Sequence, residues 1–164
     1  MNILFIGDIV GKSGRDAFSK NIGYLKNKYK SDVIIVNAEN SAAGYGLTKK
    51  IAIELFGLGT DIITLGNHAW DQREMLSYIE ECPKIIRALN YPSGVPGKGD
   101  YKFVLDDGRT ILVVQVMLRL FMNISLDDPF ALIDQRLKSE FLGSTCNALL
   151  IDMHGETTSE KNAF

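Results

Sequence analysis

The chain has 164 residues, 46% of them hydrophobic, and a formal net charge of −2. This length predicts a single domain, residues 1–164, with a sizeable core, and the charge excludes the strong basic field typical of a nucleic-acid-binding protein. The two cysteines, Cys82 and Cys146, form no C-x-x-C pair and indicate neither a disulfide framework nor a zinc knuckle.

The first half of the chain alternates between strand-like and helix-like segments. Short β-branched apolar runs predict buried parallel strands at residues 2–6, 33–36 and 61–65. The segments between them predict helices that start at a capping residue: Ser13 to about Lys28, Thr48 to about Leu58 and Asp71 to about Glu81. This order favours right-handed crossovers and a parallel sheet.

The pattern changes after Pro83. Residues 84–91, 101–105 and 110–116 are strand-like, and the turn at 106–108 predicts an antiparallel hairpin between the last two. A helix from about Pro129 to Leu142 and a strand at 147–153 complete the prediction. We therefore expect an α/β protein with two sheets and helices on their outer faces.

The glycines after the first strand do not form a phosphate-binding loop. Gly7 and Gly11 are one residue too close for a P-loop, and Asp8 lies where a bound anion would have to sit. The dinucleotide fingerprint G-x-G-x-x-G is absent as well. An aspartate directed at a metal ion is the better interpretation of this stretch.

Polar side chains follow four of the predicted strands. Because ligands bind beyond the carboxyl ends of strands in open α/β sheets, we expect these groups to share one site. Oxygen donors mixed with imidazole suit Mn²⁺, Fe²⁺ or Zn²⁺. The groups are, in chain order, Asp8; Glu39 and Asn40; Asn67 and His68; and Asp152, His154 and Glu156.

Each of these residues also has a purely structural interpretation. Asp8 could cap a helix, Glu39 and Asn40 could be solvated loop residues, and both histidines could be satisfied by nearby carbonyls. Asn67 could adopt a left-handed turn after Gly66. Their joint placement at strand ends is what favours a metal site.

The stretches GDIVGKSGR, NAENSAAGYGLT, GNHAWD, NYPSGVPGKG and DMHGETTSEK together resemble the YmdB-like branch of the calcineurin-like metallophosphoesterases, which are bacterial di-metal phosphodiesterases. The resemblance extends over Met1 to Lys161. It implies an α/β/β/α sandwich that holds two metal ions, Fe or Mn foremost, with Zn or Mg as alternatives. It also implies a small phosphodiester substrate such as a 2′,3′-cyclic nucleotide.

The resemblance further implies a role for each matching residue. Asp8 and Asn40 would bind the first metal, Glu39 would bridge both, and Asn67 and His154 would bind the second. His68 would lie beside the scissile phosphate as a proton donor or as a partner of the oxyanion. Asp152 would orient a ligand or end its strand.

Two departures from the family pattern stand out. Relatives carry a Gly-Thr-His-Thr-His stretch after the TSEK segment, whereas here the printed sequence ends at Phe164 with His68 and His154 as its only histidines. We therefore expect a sandwich incomplete at the C-terminus, weakened metal sites and impaired activity. Relatives also generally have glycine at the position of Leu118, so we expect the leucine to disturb its loop.

Three function hypotheses follow. The leading one is a metal-dependent phosphodiesterase, and the first alternative is a non-catalytic truncated remnant that binds metal weakly or not at all. A flavodoxin-like nucleotide binder is the third, resting on fold analogy alone. Without a signal segment or an apolar stretch near the roughly 20 residues that cross a bilayer, we expect a cytoplasmic protein with no membrane partner. Homo-oligomerisation is left open.

Overall fold

The computed structural model describes all 164 residues, which form two compact units, Met1–Ile85 and Ile86–Phe164. Such units can belong to one domain, so the single domain stays a prediction. None of the helices combines the length and apolar character needed to cross a membrane.

The first unit is a parallel α/β unit, as the sequence predicts. The strands pair in the order β1-β2-β3-β4, and β1, β2 and β3 run parallel. Its elements are β1 (Ile3–Ile6), α1 (Gly11–Tyr29), β2 (Val33–Asn37), α2 (Lys49–Gly57), β3 (Ile62–Thr64), α3 (Met75–Glu81) and β4 (Ile85–Ile86), whose second residue opens the next unit.

The register of this sheet aligns the ends of its strands. Ile6 pairs with Val36, and Asn37 pairs with Thr64, so β1, β2 and β3 finish at the same edge. All residues of β2 and β3 are buried, and they pack with apolar residues of the helices into one core. The loops that follow the strands therefore converge above a rigid edge, as expected for parallel sheets.

Of the predicted helix starts in this unit, one is correct and two are wrong. Thr48 caps α2 by accepting a hydrogen bond from the Ile51 N–H, as predicted. Ser13 is not a cap, because α1 begins at Gly11 after Val10. Asp71 is not a cap either: α3 begins at Met75, and the Asp71 carboxylate contacts a histidine instead.

The second unit contains a mixed sheet with strand order β5-β6-β7. The predicted antiparallel hairpin is present between β5 and β6, and Gly108 adopts the left-handed conformation (φ 84°) that its turn requires. β7 pairs in parallel with β6. The elements are β5 (Asp100–Val104), β6 (Thr110–Met117), α4 (Pro129–Leu137), β7 (Ala148–His154) and α5 (Thr158–Ala163).

Two predicted elements of this unit are too long. The strand-like run 84–91 contributes only β4, and the side chain of Arg87, directly after it, donates hydrogen bonds to the carbonyls of Pro96, Val95 and Gly97. The predicted helix to Leu142 ends at Leu137. Its start is correct, with Asp128 accepting from the N–H groups of the first turn.

An ionic network ties β5 to the segment after α4. The Glu140 carboxylate accepts hydrogen bonds from Lys102 Nζ (2.9 Å), Arg136 Nη1 (2.9 Å) and Thr145 Oγ1 (2.7 Å). Arg136 also donates to Asp100 at 2.8 Å. These donors, Lys102 foremost, lower the pKa of Glu140 to about 2.

This network predicts a specific acid sensitivity. Because the folded-state pKa of Glu140 is depressed, its contribution is complete above its ordinary pKa and disappears as the pH falls towards about 2. We expect Glu140→Gln to lower the free energy of unfolding by about 1–3 kcal/mol at pH 7. It should also flatten the loss of stability between about pH 5 and pH 3. Urea unfolding across this range checks both effects, with Asp106→Asn in the exposed hairpin turn as the control; equal slopes for wild type and Glu140→Gln contradict the assignment.

Candidate active site

The loops after β1 and β2 bring Asp8 and Asn40 together. Asn40 Nδ2 donates a hydrogen bond to Asp8 Oδ2 at 2.9 Å, although the two residues are 32 positions apart in sequence. Two backbone bonds hold these loops in place, from Gly11 N–H to the Asn40 carbonyl and from Ile9 N–H to the Asn37 carbonyl. The Asp8 side chain remains open to solvent, so it is accessible to a ligand.

Glu39 is a buried acidic residue at the edge of the sheet where β1, β2 and β3 end. It is only 1% exposed, and its Oε2 accepts a hydrogen bond from the His68 backbone N–H at 3.2 Å. Its carboxylate lies against Gly66 so closely that a Cβ added there would overlap it. The loop after β3 is thus shaped around the Glu39 carboxylate, because only glycine leaves room for it.

In the sequence, Asn67 lies between Gly66 and His68, the two residues that contact the Glu39 carboxylate. It is half-buried. The left-handed turn, which was the alternative structural interpretation of Asn67, is absent, because Asn67 is not among the residues with positive φ. The left-handed residues of the loop after β2 are Ala43, with φ 56°, Gly44 and Gly46. The turn after β3 is closed by a hydrogen bond from the Ala69 N–H to the Gly66 carbonyl.

His68 is held by a carboxylate and lies beside an aromatic ring. Its Nδ1 is 2.6 Å from Asp71 Oδ2, and its ring makes an edge-to-face contact with Tyr45 at 5.5 Å between centroids. An ionised carboxylate can only accept, so Nδ1 carries the proton of this bond. The Nε2 atom is then the nitrogen available to a substrate.

The predicted residues of the second unit lie on β7. His154 is its last residue and is half-buried, in register with Met117. Asp152 lies inside the strand rather than after it, and Gln115 Nε2 donates to its carboxylate at 3.4 Å. Leu118 is buried and its side chain contacts Gly155, where an added Cβ would come within 2.6 Å. This leucine is therefore packed against the glycine that follows His154.

The donor set at the edge of the first sheet suits a hard divalent cation. Asp8, Glu39, Asn40 and Asn67 offer carboxylate and carboxamide oxygens. The buried Glu39 carboxylate in its glycine-lined cradle is the observation that fits a metal-binding role best. No three His, Cys, Asp or Glu side chains lie together as a group that could hold a metal, and two of the four residues named above are asparagines.

One cavity of the molecule adjoins the candidate site, and a larger cavity lies elsewhere. An open cavity of about 430 Å³ adjoins Asp8, between β1 and α1, with mostly apolar walls that include Phe18 and Tyr24. A larger one, about 670 Å³, lies in the second unit, but both of its carboxylates have structural roles. Asp128 caps α4, and Glu160 accepts the N–H groups of Arg119 and Leu120.

Three residues acquire roles that the sequence did not suggest. Gly66 makes room for Glu39, and Asp71 holds His68. Arg15 of α1 donates to the Ser41 carbonyl and approaches Glu54 at 3.9 Å. The sequence signal for Asp71 was its spacing of three from His68, which places both side chains on the same turn.

Comparison with known proteins places this site in a family. The model of the family described as YmdB-like protein matches residues 4–164. The 2′,3′-cyclic-nucleotide 2′-phosphodiesterase of Bacillus subtilis is 42% identical over 164 residues, which are the whole of this chain and 61% of that protein. The chain thus spans less than two thirds of the length of this relative.

Two solved structures share the fold. A hypothetical protein from Thermus thermophilus superposes with a TM-score of 0.89 at 40% identity, covering 99% of this chain and 61% of that one. A structure from Mycoplasma pneumoniae described as a novel phosphatase gives a TM-score of 0.88 at 32% identity, covering 98% and 57%. The predicted fold class, an α/β fold of the phosphoesterase type, is confirmed, and the chain belongs to the YmdB-like protein family.

Proposed function

We propose that this chain is a metal-dependent phosphodiesterase acting on small phosphodiesters, with 2′,3′-cyclic nucleotides as the substrate class. The observation that supports this most directly is the buried Glu39 carboxylate, held between Gly66 and the His68 N–H at the edge where Asp8 and Asn40 meet. The name of the Bacillus subtilis relative supports the substrate class.

Asp8, Glu39, Asn40 and Asn67 are the proposed metal ligands of the first unit, and His154, on β7 of the second unit, stays a predicted metal ligand. Fe or Mn is the proposed metal, with Zn or Mg as alternatives. The chemistry that such ions supply is neutralisation of the phosphodiester charge and acidification of a water molecule. Neutral carboxamide ligands limit the negative charge that an anionic substrate meets.

His68 is the proposed proton donor to the leaving oxygen. Its Nδ1 is engaged by Asp71 at 2.6 Å, which fixes the ring and leaves Nε2 to face a substrate. Hydrolysis of a 2′,3′-cyclic ester at the 2′ position breaks the bond from phosphorus to O2′. Water supplies the new oxygen on phosphorus, and O2′ receives a proton from Nε2 of the imidazolium form of His68, since Nδ1 keeps the proton that it donates to Asp71.

The test is hydrolysis of 2′,3′-cyclic AMP by the purified chain with added Mn²⁺. We expect His68→Gln to lower kcat by about 100-fold or more, and Asp71→Asn by about 10-fold, because the latter only loosens the ring. Both variants should still bind Mn²⁺, since neither side chain is a proposed ligand. Wild-type turnover that is unaffected by a metal chelator would overturn the proposal.

One observation favours a second candidate, a non-catalytic chain that binds metal weakly or not at all. No three His, Cys, Asp or Glu side chains lie close enough together to hold a metal ion. Metal analysis of the purified protein separates the two functions. Nearly two ions per chain supports the phosphodiesterase, whereas fewer than one supports the non-catalytic chain.

A further inference from the structure

Tyr45 combines an exposed ring with a fixed backbone. Its side chain is 62% exposed. Its N–H donates to the Ala42 carbonyl at 3.0 Å, and its carbonyl accepts from Gln72 Nε2 at 2.7 Å. The ring therefore projects into solvent from a position that its own backbone cannot easily leave.

The loop that carries Tyr45 is closed on itself and packed against the His68 segment. Ala42 N–H donates to the Gly46 carbonyl, and Gly44 N–H donates to the Asn40 carbonyl, each at 3.0 Å. Gly44 and Gly46 have φ values of 92° and 80°, which favour glycine. A Cβ at Gly46 would come within 3.1 Å of the His68 carbonyl, so the two segments touch through backbone.

The ring lies directly beside the proposed proton donor. The centroids of Tyr45 and His68 are 5.5 Å apart with the rings nearly perpendicular, at 87°. The contact with His68 uses only part of the phenol ring, since most of the side chain is accessible. In a 2′,3′-cyclic nucleotide a single ribose separates the phosphate from the base. A substrate whose phosphate is at His68 therefore has its base within reach of the Tyr45 ring.

We infer that Tyr45 is a stacking platform for the base of the substrate, so that the site selects phosphate esters of nucleosides over esters without a base. This inference rests on the proposed function and adds a specificity-determining residue to it. Stacking depends on a π-face and tolerates any base, because all bases offer one. Tyr45 thus confers a preference for nucleotides without choosing among them.

The experiment measures binding of the reaction product, so that no turnover is needed. Adenosine 3′-monophosphate and ribose 3-phosphate, which lacks the base, are titrated calorimetrically into the full chain with Mn²⁺ present. We expect Tyr45→Ala to weaken binding of the nucleotide by about 5- to 100-fold, the range for loss of one stacked base, and to leave ribose 3-phosphate unchanged. Tyr45→Phe should bind both as wild type does.

Tyr29→Ala, at the half-exposed last residue of α1, is the matched control and should change neither affinity. An equal loss of both ligands in Tyr45→Ala overturns the inference, because the ring would then act through His68. Equal affinity of the wild type for both ligands overturns it as well and leaves the proposed function standing. If the wild-type chain binds neither ligand and does not hydrolyse 2′,3′-cyclic AMP, the proposed function is wrong, and the stacking role is wrong with it.

Discussion

Glu39→Gln is expected to abolish metal binding and phosphodiester hydrolysis while leaving the fold intact. Glutamine has the shape of glutamate and its carbonyl oxygen can still accept the His68 N–H, so the buried contact of 3.2 Å is kept. What it lacks is the negative charge and the second carboxylate oxygen that the proposed role as a metal ligand would use. We expect a loss of Mn²⁺ affinity of at least about 10- to 100-fold, and a fall in kcat of at least that size.

Calorimetric titration with Mn²⁺ and thermal unfolding of the same samples check this result. Asn21→Ala on the exposed face of α1 is a suitable control, because its side chain bonds only to the Ala17 carbonyl. The opposite outcome, in which Glu39→Gln binds Mn²⁺ as well as wild type, would show that Glu39 is a structural acid. A large drop in unfolding temperature without metal would point to the same conclusion.

Gly66→Ala is the second substitution with a large expected effect. The new Cβ would occupy space that the Glu39 carboxylate fills, and Glu39 is 1% exposed, so the carboxylate must move within a packed core. We expect the hydrogen bond to the His68 N–H to break. The expected cost is about 1–3 kcal/mol of unfolding free energy, together with a loss of Mn²⁺ affinity of about 10-fold or more.

The control is Gly23→Ala in the middle of α1, where an added Cβ meets nothing within 4 Å. That substitution should be neutral or stabilising, because alanine favours a helix. Urea unfolding and metal titration of both variants measure the contrast. If Gly66→Ala is as stable as the wild type and binds Mn²⁺ equally well, Glu39 has room to move. The close contact between Gly66 and the Glu39 carboxylate would then not determine the site.

Local sequence is sufficient to predict the elements around the site. Apolar β-branched runs identify β1, β2 and β3, although the prediction that β1 is buried is wrong because it is an edge strand, and the hairpin between β5 and β6 follows from its Asp-Asp-Gly turn. Polar residues at the ends of these strands identify Asp8, Glu39, Asn40 and Asn67 as a group, because parallel strands end at one edge. Such signals depend on spacing of a few residues, which a sequence displays directly.

Helix starts are predicted less well, because a capping residue is chosen by its surroundings. Ser13 and Asp71 have suitable side chains, but α1 begins before Ser13, and the carboxylate of Asp71 is engaged by His68. A nearby imidazole competes with backbone N–H groups for the same carboxylate. The helices α3 and α4 are also shorter than their sequence patterns predict. Tertiary contacts can override helix propensity in this way.

The amino-acid sequence by itself determined the family of this chain, its α/β class and the identity of the polar groups at its strand ends. Only the tertiary structure decided that Gly66 leaves room for Glu39, that Asp71 contacts His68 rather than a helix end, and that Tyr45 lies beside that histidine. The physical reason is distance along the chain. Glu39 and His68 are 29 positions apart, and their contact depends on how β2 and β3 align, which no local pattern encodes.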